Sequence, residues 1–124
     1  MSIAETEAGT ALDLSVLIGD WRNTNAAGSI TRIVCRPAGE GRLTVHTWTA
    51  ARDFGTVDAP VFAFTFDSRE AGAFAANYDF GFAQARLQAN VKAGVLVVVC
   101  LTSFHDESGR SNYFDREFFY RVRR

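Results

Sequence analysis

Hydrophobic and polar residues alternate with a period of two along most of this chain, and no stretch sustains a helical period. Residues 82–92 show it most clearly. Gln84, Arg86, Gln88, Asn90 and Lys92 fall on one face, and Ala83, Ala85, Leu87, Ala89 and Val91 on the other. Such a strand has one wet and one buried face, and small buried residues suit the taper of a barrel. Residues 29–36 and 42–50 alternate in the same way. In the second of these, Leu43, Val45, Thr47 and Thr49 oppose Thr44, His46 and Trp48. Residues 95–104 are apolar on both faces, so a core on one side must be matched by other cover on the second. Residues 57–66 set Phe62, Phe64 and Phe66 against Val61, Ala63 and Thr65, with Pro60 at a bulge or an edge. Either the Phe row walls the interior or it stands outside; the pattern leaves both open.

Turn signals separate these runs: Ala26-Ala27-Gly28, the Pro- and Gly-rich residues 37–41, a polar connection at 52–56 containing Gly55, and Ala93-Gly94. With residues 21–25, 73–80 and 112–122, the pattern predicts eight strands with short loops. Residues 12–18 predict one short helical turn with Asp13 near its start. The expected fold is therefore all-β, an eight-stranded antiparallel up-and-down β-barrel with a short N-terminal helical turn. A two-sheet sandwich is the alternative. Residues 1–11 read as a flexible tail and residues 12–124 as a single domain.

Composition changes this picture in two ways. Eleven of the 124 residues are Phe, more aromatic surface than one small core needs, and the excess points to a cavity or an interface. With 48% hydrophobic residues and a net charge of −1, neither disorder nor a nucleic-acid partner is expected. Cys35 and Cys100 lie in apolar strand-like runs without Cys-x-x-Cys or Cys/His spacing, which reads as reduced, buried thiols in a cytoplasmic protein. A bridge between them is the alternative. The N-terminal residues lack a basic segment followed by an apolar one, so no secretory signal is visible. The longest apolar run, residues 95–101, is too short to span a bilayer, and no membrane partner is expected. His46 and His105 lie far apart and give no metal site by spacing; no cofactor is expected.

The stretch Gly19-Asp20-Trp21-Arg22-Asn23 places a large indole just after a glycine, where it suits the closed end of a small barrel. Together with Arg121 in the last strand, it resembles the calycin arrangement of lipocalins and avidins, in which an Arg from the last strand stacks over the Trp. The run continuing to Gly28-Ser29 is similar to the avidin opening, Gly-x-Trp-x-Asn…Gly-Ser, with a connecting loop about two residues longer. The resemblance implies a calycin-like barrel in which Trp21 plugs one end and Asn23 and Ser29 line the mouth. Avidins build their pocket from several tryptophans. This chain has only Trp21 and Trp48, so biotin is not the implied ligand. If Arg121 points inward to meet Trp21, alternation sends Tyr113, Asp115 and Glu117 inward with it. If it points outward, the set is a solvated face.

The candidate ligand-binding residues are Asn23, Ser29, His46, Trp48, Tyr78 and Tyr113, polar or aromatic groups on strands beside apolar neighbours. The candidate acids and bases are His46, Asp115 and Glu117. No nucleophile elbow, phosphate loop, HExxH or Cys/His dyad occurs. The expected function is to bind a small, largely hydrophobic molecule in the barrel lumen. The alternative is a cofactor-independent cyclase or isomerase acting on a hydrophobic metabolite, which needs only a shaped apolar pocket and one acid or base. A filled barrel serving as an interaction module is a third possibility. The strands with two apolar faces predict a homo-oligomer, most simply a homodimer.

Overall fold

The computed structural model describes residues 11–123. Nine strands form one antiparallel sheet: β1 (Gly19–Asn23), β2 (Ile30–Pro37), β3 (Leu43–Thr49), β4 (Asp53–Ala59), β5 (Val61–Ala63), β6 (Ala71–Asp79), β7 (Ala83–Lys92), β8 (Val95–Phe104) and β9 (Tyr113–Arg121). Their order is β4-β3-β2-β1-β9-β8-β7-β6-β5, so the last strand returns beside the first. β4 lies against β6, which brings the ends of the sheet together as a nearly closed barrel. The expected tail falls almost wholly outside the described residues.

Two expectations are corrected. The strands number nine rather than eight, because residues 57–66 do not form one strand. Pro60 has no N–H to give to a ladder, and the chain breaks there into β4 and β5. Residues 53–56, read as a connection, instead begin β4. Gly55 takes a positive φ of 87° there, and the pairing with β3 slips between Thr47 and Trp48. The second correction concerns residues 12–18. Leu17 N–H and Ile18 N–H both donate to the Leu14 carbonyl, closing a single turn that does not propagate into a helix. Gly19, at a φ of 151°, then turns the chain straight into β1. Among the described residues there is no helix.

That turn caps one end of the barrel. Asp13 pairs with the backbone on both sides of Glu70, and Leu14 and Leu17 go into the core. Trp21 sits above them, fully buried, with its indole N–H donating to the Leu17 carbonyl at 3.0 Å. Register places Arg121 opposite Trp21, and its guanidinium lies 4.7 Å from the indole centroid. The same guanidinium donates to the Val16 carbonyl. A Cβ on Gly19 would sit 3.1 Å from the Arg121 stem, so glycine is what lets the two pass. Phe74, Phe119, Leu87, Leu96, Ile33, Val45 and Val98 complete a packed lower half. Arg121 therefore points inward, and alternation along β9 takes Phe119, Glu117, Asp115 and Tyr113 to the same side.

On the outer face of β1–β4 a chain of stacked and paired groups runs across four strands. Asp20 is almost buried and accepts from Arg22 and from both nitrogens of an Arg32 fork, at 3.0 Å each for the fork. Burial pushes the Asp20 carboxyl up most strongly of any single influence. The hydrogen bonds from Arg32 and Arg22, together with the positive charges of the two guanidinium groups, outweigh it and hold the group below its ordinary value. A depressed carboxyl stabilises the fold fully above its unfolded value, near pH 4, and loses that contribution as the pH falls through its folded value. The stability gap between the wild type and Asp20→Asn is thus expected to be widest at neutral pH and to shrink below about pH 4. Urea unfolding at pH 7 and at pH 3 checks this.

Candidate functional site

The end of the barrel opposite Trp21 is open. Small inward residues of β7, Ala83 and Ala85, leave space there that Leu87 fills lower down. The result is a cleft of about 400 Å³ at the mouth. Its walls are aromatic: Phe54 from β4, Phe80 and Phe82 from the β6–β7 turn, Phe104 at the end of β8, and Tyr113 at the start of β9. The rings touch in two sets. Phe54 and Phe80 have centroids 4.8 Å apart, Phe80 and Phe82 6.4 Å, and Phe104 and Tyr113 6.2 Å. Thr49, Thr102 and Ser29 supply hydroxyls at the rim, and Arg52 and Arg110 flank it. A wider depression of about 1080 Å³ lies at the other end, beside Val91, Arg121 and the β7–β8 turn, and carries two rings, Phe64 and Tyr120, in place of the five at the mouth.

The residues singled out from the sequence divide into three groups. Ser29 and Tyr113 line the cleft. Asn23, Asp115 and Glu117 lie beside it on the inner side and hold the β1–β2 turn in place. Glu117 accepts from the backbone N–H groups of Ser29 and Ile30, at 3.1 and 3.2 Å. Asp115 accepts from the Ser29 hydroxyl, and Asn23 donates to the Ile30 carbonyl. The second group also holds Tyr78, buried below the cleft wall with its ring 5.2 Å from Phe54. Its hydroxyl lies within 3.0–3.1 Å of the Val45 and Gly55 carbonyls and the Thr47 hydroxyl, and burial pushes its pKa up to about 12. It is a tie between β6, β3 and β4.

The third group, His46 and Trp48, does not reach the lumen, contrary to the expectation that they line it. Val45 and Thr47 take the inner face of β3, so alternation puts His46 and Trp48 outside. There the two rings stack at 3.7 Å, with Arg32 over Trp48 and the His46 ring held by Asp53 and Thr56. The hydrogen bond from His46 is the leading cause that holds the Asp53 carboxyl below its ordinary value. The arrangement secures the edge strand β4 to β3.

Sequence reasoning missed Phe54, Phe80, Phe82, Phe104, Arg52 and Arg110. Most sit in or next to turns, where no periodicity reports a direction; the available signal was the Phe-Gly-Phe turn at 80–82 and the surplus of Phe. Cys35 and Cys100 are free, buried thiols, each raised by burial, to about 12 and about 11. Among the described residues, no three His, Cys, Asp or Glu side chains gather as metal ligands. No helix there is long and apolar enough to cross a membrane. Comparison with protein-family models, with curated proteins and with solved structures finds no match to this chain.

Proposed function

We infer that the protein binds a small, largely apolar molecule in the mouth of a calycin-like barrel. The observation that carries this is the contrast between the two ends. The end at Trp21 is plugged by the buried Trp21, Leu14 and Leu17, whereas the other end keeps an open cleft of about 400 Å³ walled by five aromatic rings. Clefts of this size and lining are where small molecules bind. The contact of Arg121 with Trp21 supports the calycin-like reading. Titration with the neutral dye Nile red tests binding. Saturable fluorescence enhancement is expected, with Phe104→Asp weakening it at least tenfold while the thermal midpoint moves little, because Phe104 stands at the rim. Dye binding that ignores Phe104→Asp would remove the cleft from consideration.

The second reading, a cofactor-independent cyclase or isomerase, rests on Asp115, whose carboxylate reaches Ser29 at the cleft rim. The two free thiols suit a reducing compartment, and we place the protein in the cytoplasm on that ground.

The outer faces of β8 and β9 support self-association. Val97 is paired with Phe118 and Leu101 with Phe114, and Phe114, Phe118 and Tyr120 are exposed. Val97, Val99 and Leu101 make an apolar row on β8, and on β9 the exposed aromatics beside it are interrupted by Arg116 opposite Val99; a second copy packing sheet on sheet would cover this face symmetrically. Light scattering at micromolar concentration should give twice 13.6 kDa. A monomer mass would rule the dimer out.

A further inference from the structure

Two guanidinium groups stand at the cleft mouth, and both are laid on its aromatic wall. Arg52 lies 4.1 Å from the Phe80 centroid and 5.6 Å from that of Phe82. Arg110 lies 4.2 Å from Phe104 and also 5.6 Å from Phe82. Coming from different loops, the two therefore converge on the same ring. Arg110 is held in place from behind: its Nε donates to Ser108 at 2.9 Å, and its terminal nitrogen pairs with Asp106 at 2.8 Å. No carboxylate among the described residues pairs with Arg52. An apolar cleft thus has an unneutralised cation at its rim, with a second, tethered cation across a shared ring. Packing against aromatic faces leaves the edge of a guanidinium, where its N–H groups lie, available for a planar anion.

We propose that the molecule bound in the cleft is an amphiphile whose carboxylate is held at the mouth by Arg52 and Arg110, with its apolar body against Phe54, Phe80 and Phe104. A carboxylate matches the guanidinium fork and gains charge-assisted hydrogen bonds that a neutral head group does not. Arg52 makes the primary ion pair. Arg110, already shared with Asp106, adds a weaker second contact. The inference rests on the mouth cleft being the binding site, and it narrows the ligand class from apolar molecules to apolar monocarboxylates.

The test uses the full chain and a matched pair of probes, 2-naphthylacetic acid and 2-naphthylacetamide, each displacing Nile red at pH 7. The acid should compete at least tenfold more tightly than the amide. That ratio should fall as salt is raised, because the arginines are solvent-exposed. Arg52→Gln should bring the ratio to within about twofold, and Arg110→Gln should lower it by a smaller factor. Equal affinities for acid and amide would overturn the proposal, as would a preference for the acid that survives Arg52→Gln. So would failure of both probes to displace a dye that does bind, with the apolar cleft itself left standing. If Nile red does not bind at all, the cleft reading falls instead, which separates the two failures.

Discussion

Trp21→Ala is expected to lower the stability of the fold by about 3–5 kcal/mol, the cost of truncating a large aromatic in a packed core. Three features place it at the high end. The indole is fully buried, so the whole ring volume becomes a cavity between β1, β9 and the 14–17 turn. Its N–H holds the Leu17 carbonyl, and its loss unties the turn that caps the barrel. Its face carries the Arg121 guanidinium, which would be left over a void. Since small domains are stable by about 5–15 kcal/mol, such a loss removes a large share of the total. Trp21→Phe keeps a ring beneath Arg121 but drops the Leu17 hydrogen bond, and it should cost clearly less. Guanidinium unfolding curves of the three proteins decide this; a Trp21→Ala loss below 1 kcal/mol is incompatible with the plug.

The second large effect is expected at Glu117. Its carboxylate accepts from two consecutive backbone N–H groups, those of Ser29 and Ile30. Gly28 lies directly beneath, and a Cβ there would come within 2.3 Å of Glu117 and 2.2 Å of Asn23. The turn is therefore folded tightly onto the inside of the barrel by an acid 87–88 residues away in sequence. Removing that acid leaves both donors without their partner. Hydrogen bonds to a charged group contribute about 1.5–3 kcal/mol, so Glu117→Ala should cost about 2–3 kcal/mol. Asp115→Ala, which loses only the Ser29 hydroxyl, should cost less than about 1.5 kcal/mol. Because the freed turn carries Ser29 out of the cleft rim, Glu117→Ala should also weaken Nile red binding. Paired denaturation and dye titrations check both halves; an unchanged dye affinity would separate the turn from the site.

Much of the barrel was legible because strand periodicity reports direction wherever one face is polar. The alternation of Gln84 to Lys92 against Ala83 to Val91 appears unchanged in β7. Once Arg121 meets Trp21, the whole inner face of β9 follows. Legibility ended where two faces looked alike. β3 has a mixed face on each side, and a His-Trp pair reads as lining until Arg32, Asp53 and Thr56 are seen to clothe it on the outside. The row Phe62, Phe64 and Phe66 is exposed, with Phe64 lying over Gly72, a placement fixed by tertiary contact rather than by pattern. The split at Pro60 carried a sequence signal, but the Gly55 bulge that extends β4 did not. The site itself was the least legible part. Its aromatic and basic residues come from the β3–β4, β6–β7 and β8–β9 connections and the strand ends that flank them, and only the folded barrel brings those together.

Mapping the bound dye onto the chain tests the central claim most directly. Amide and aromatic NMR shifts would be followed as Nile red is added to labelled protein. The predicted result is that the large, saturable shifts fall on Ser29, Phe54, Phe80, Phe82, Phe104 and Tyr113, with Trp21 and its neighbours unmoved. Shifts centred instead on Trp48 and His46, or on the outer face of β8 and β9, would contradict a ligand site in the mouth of the barrel.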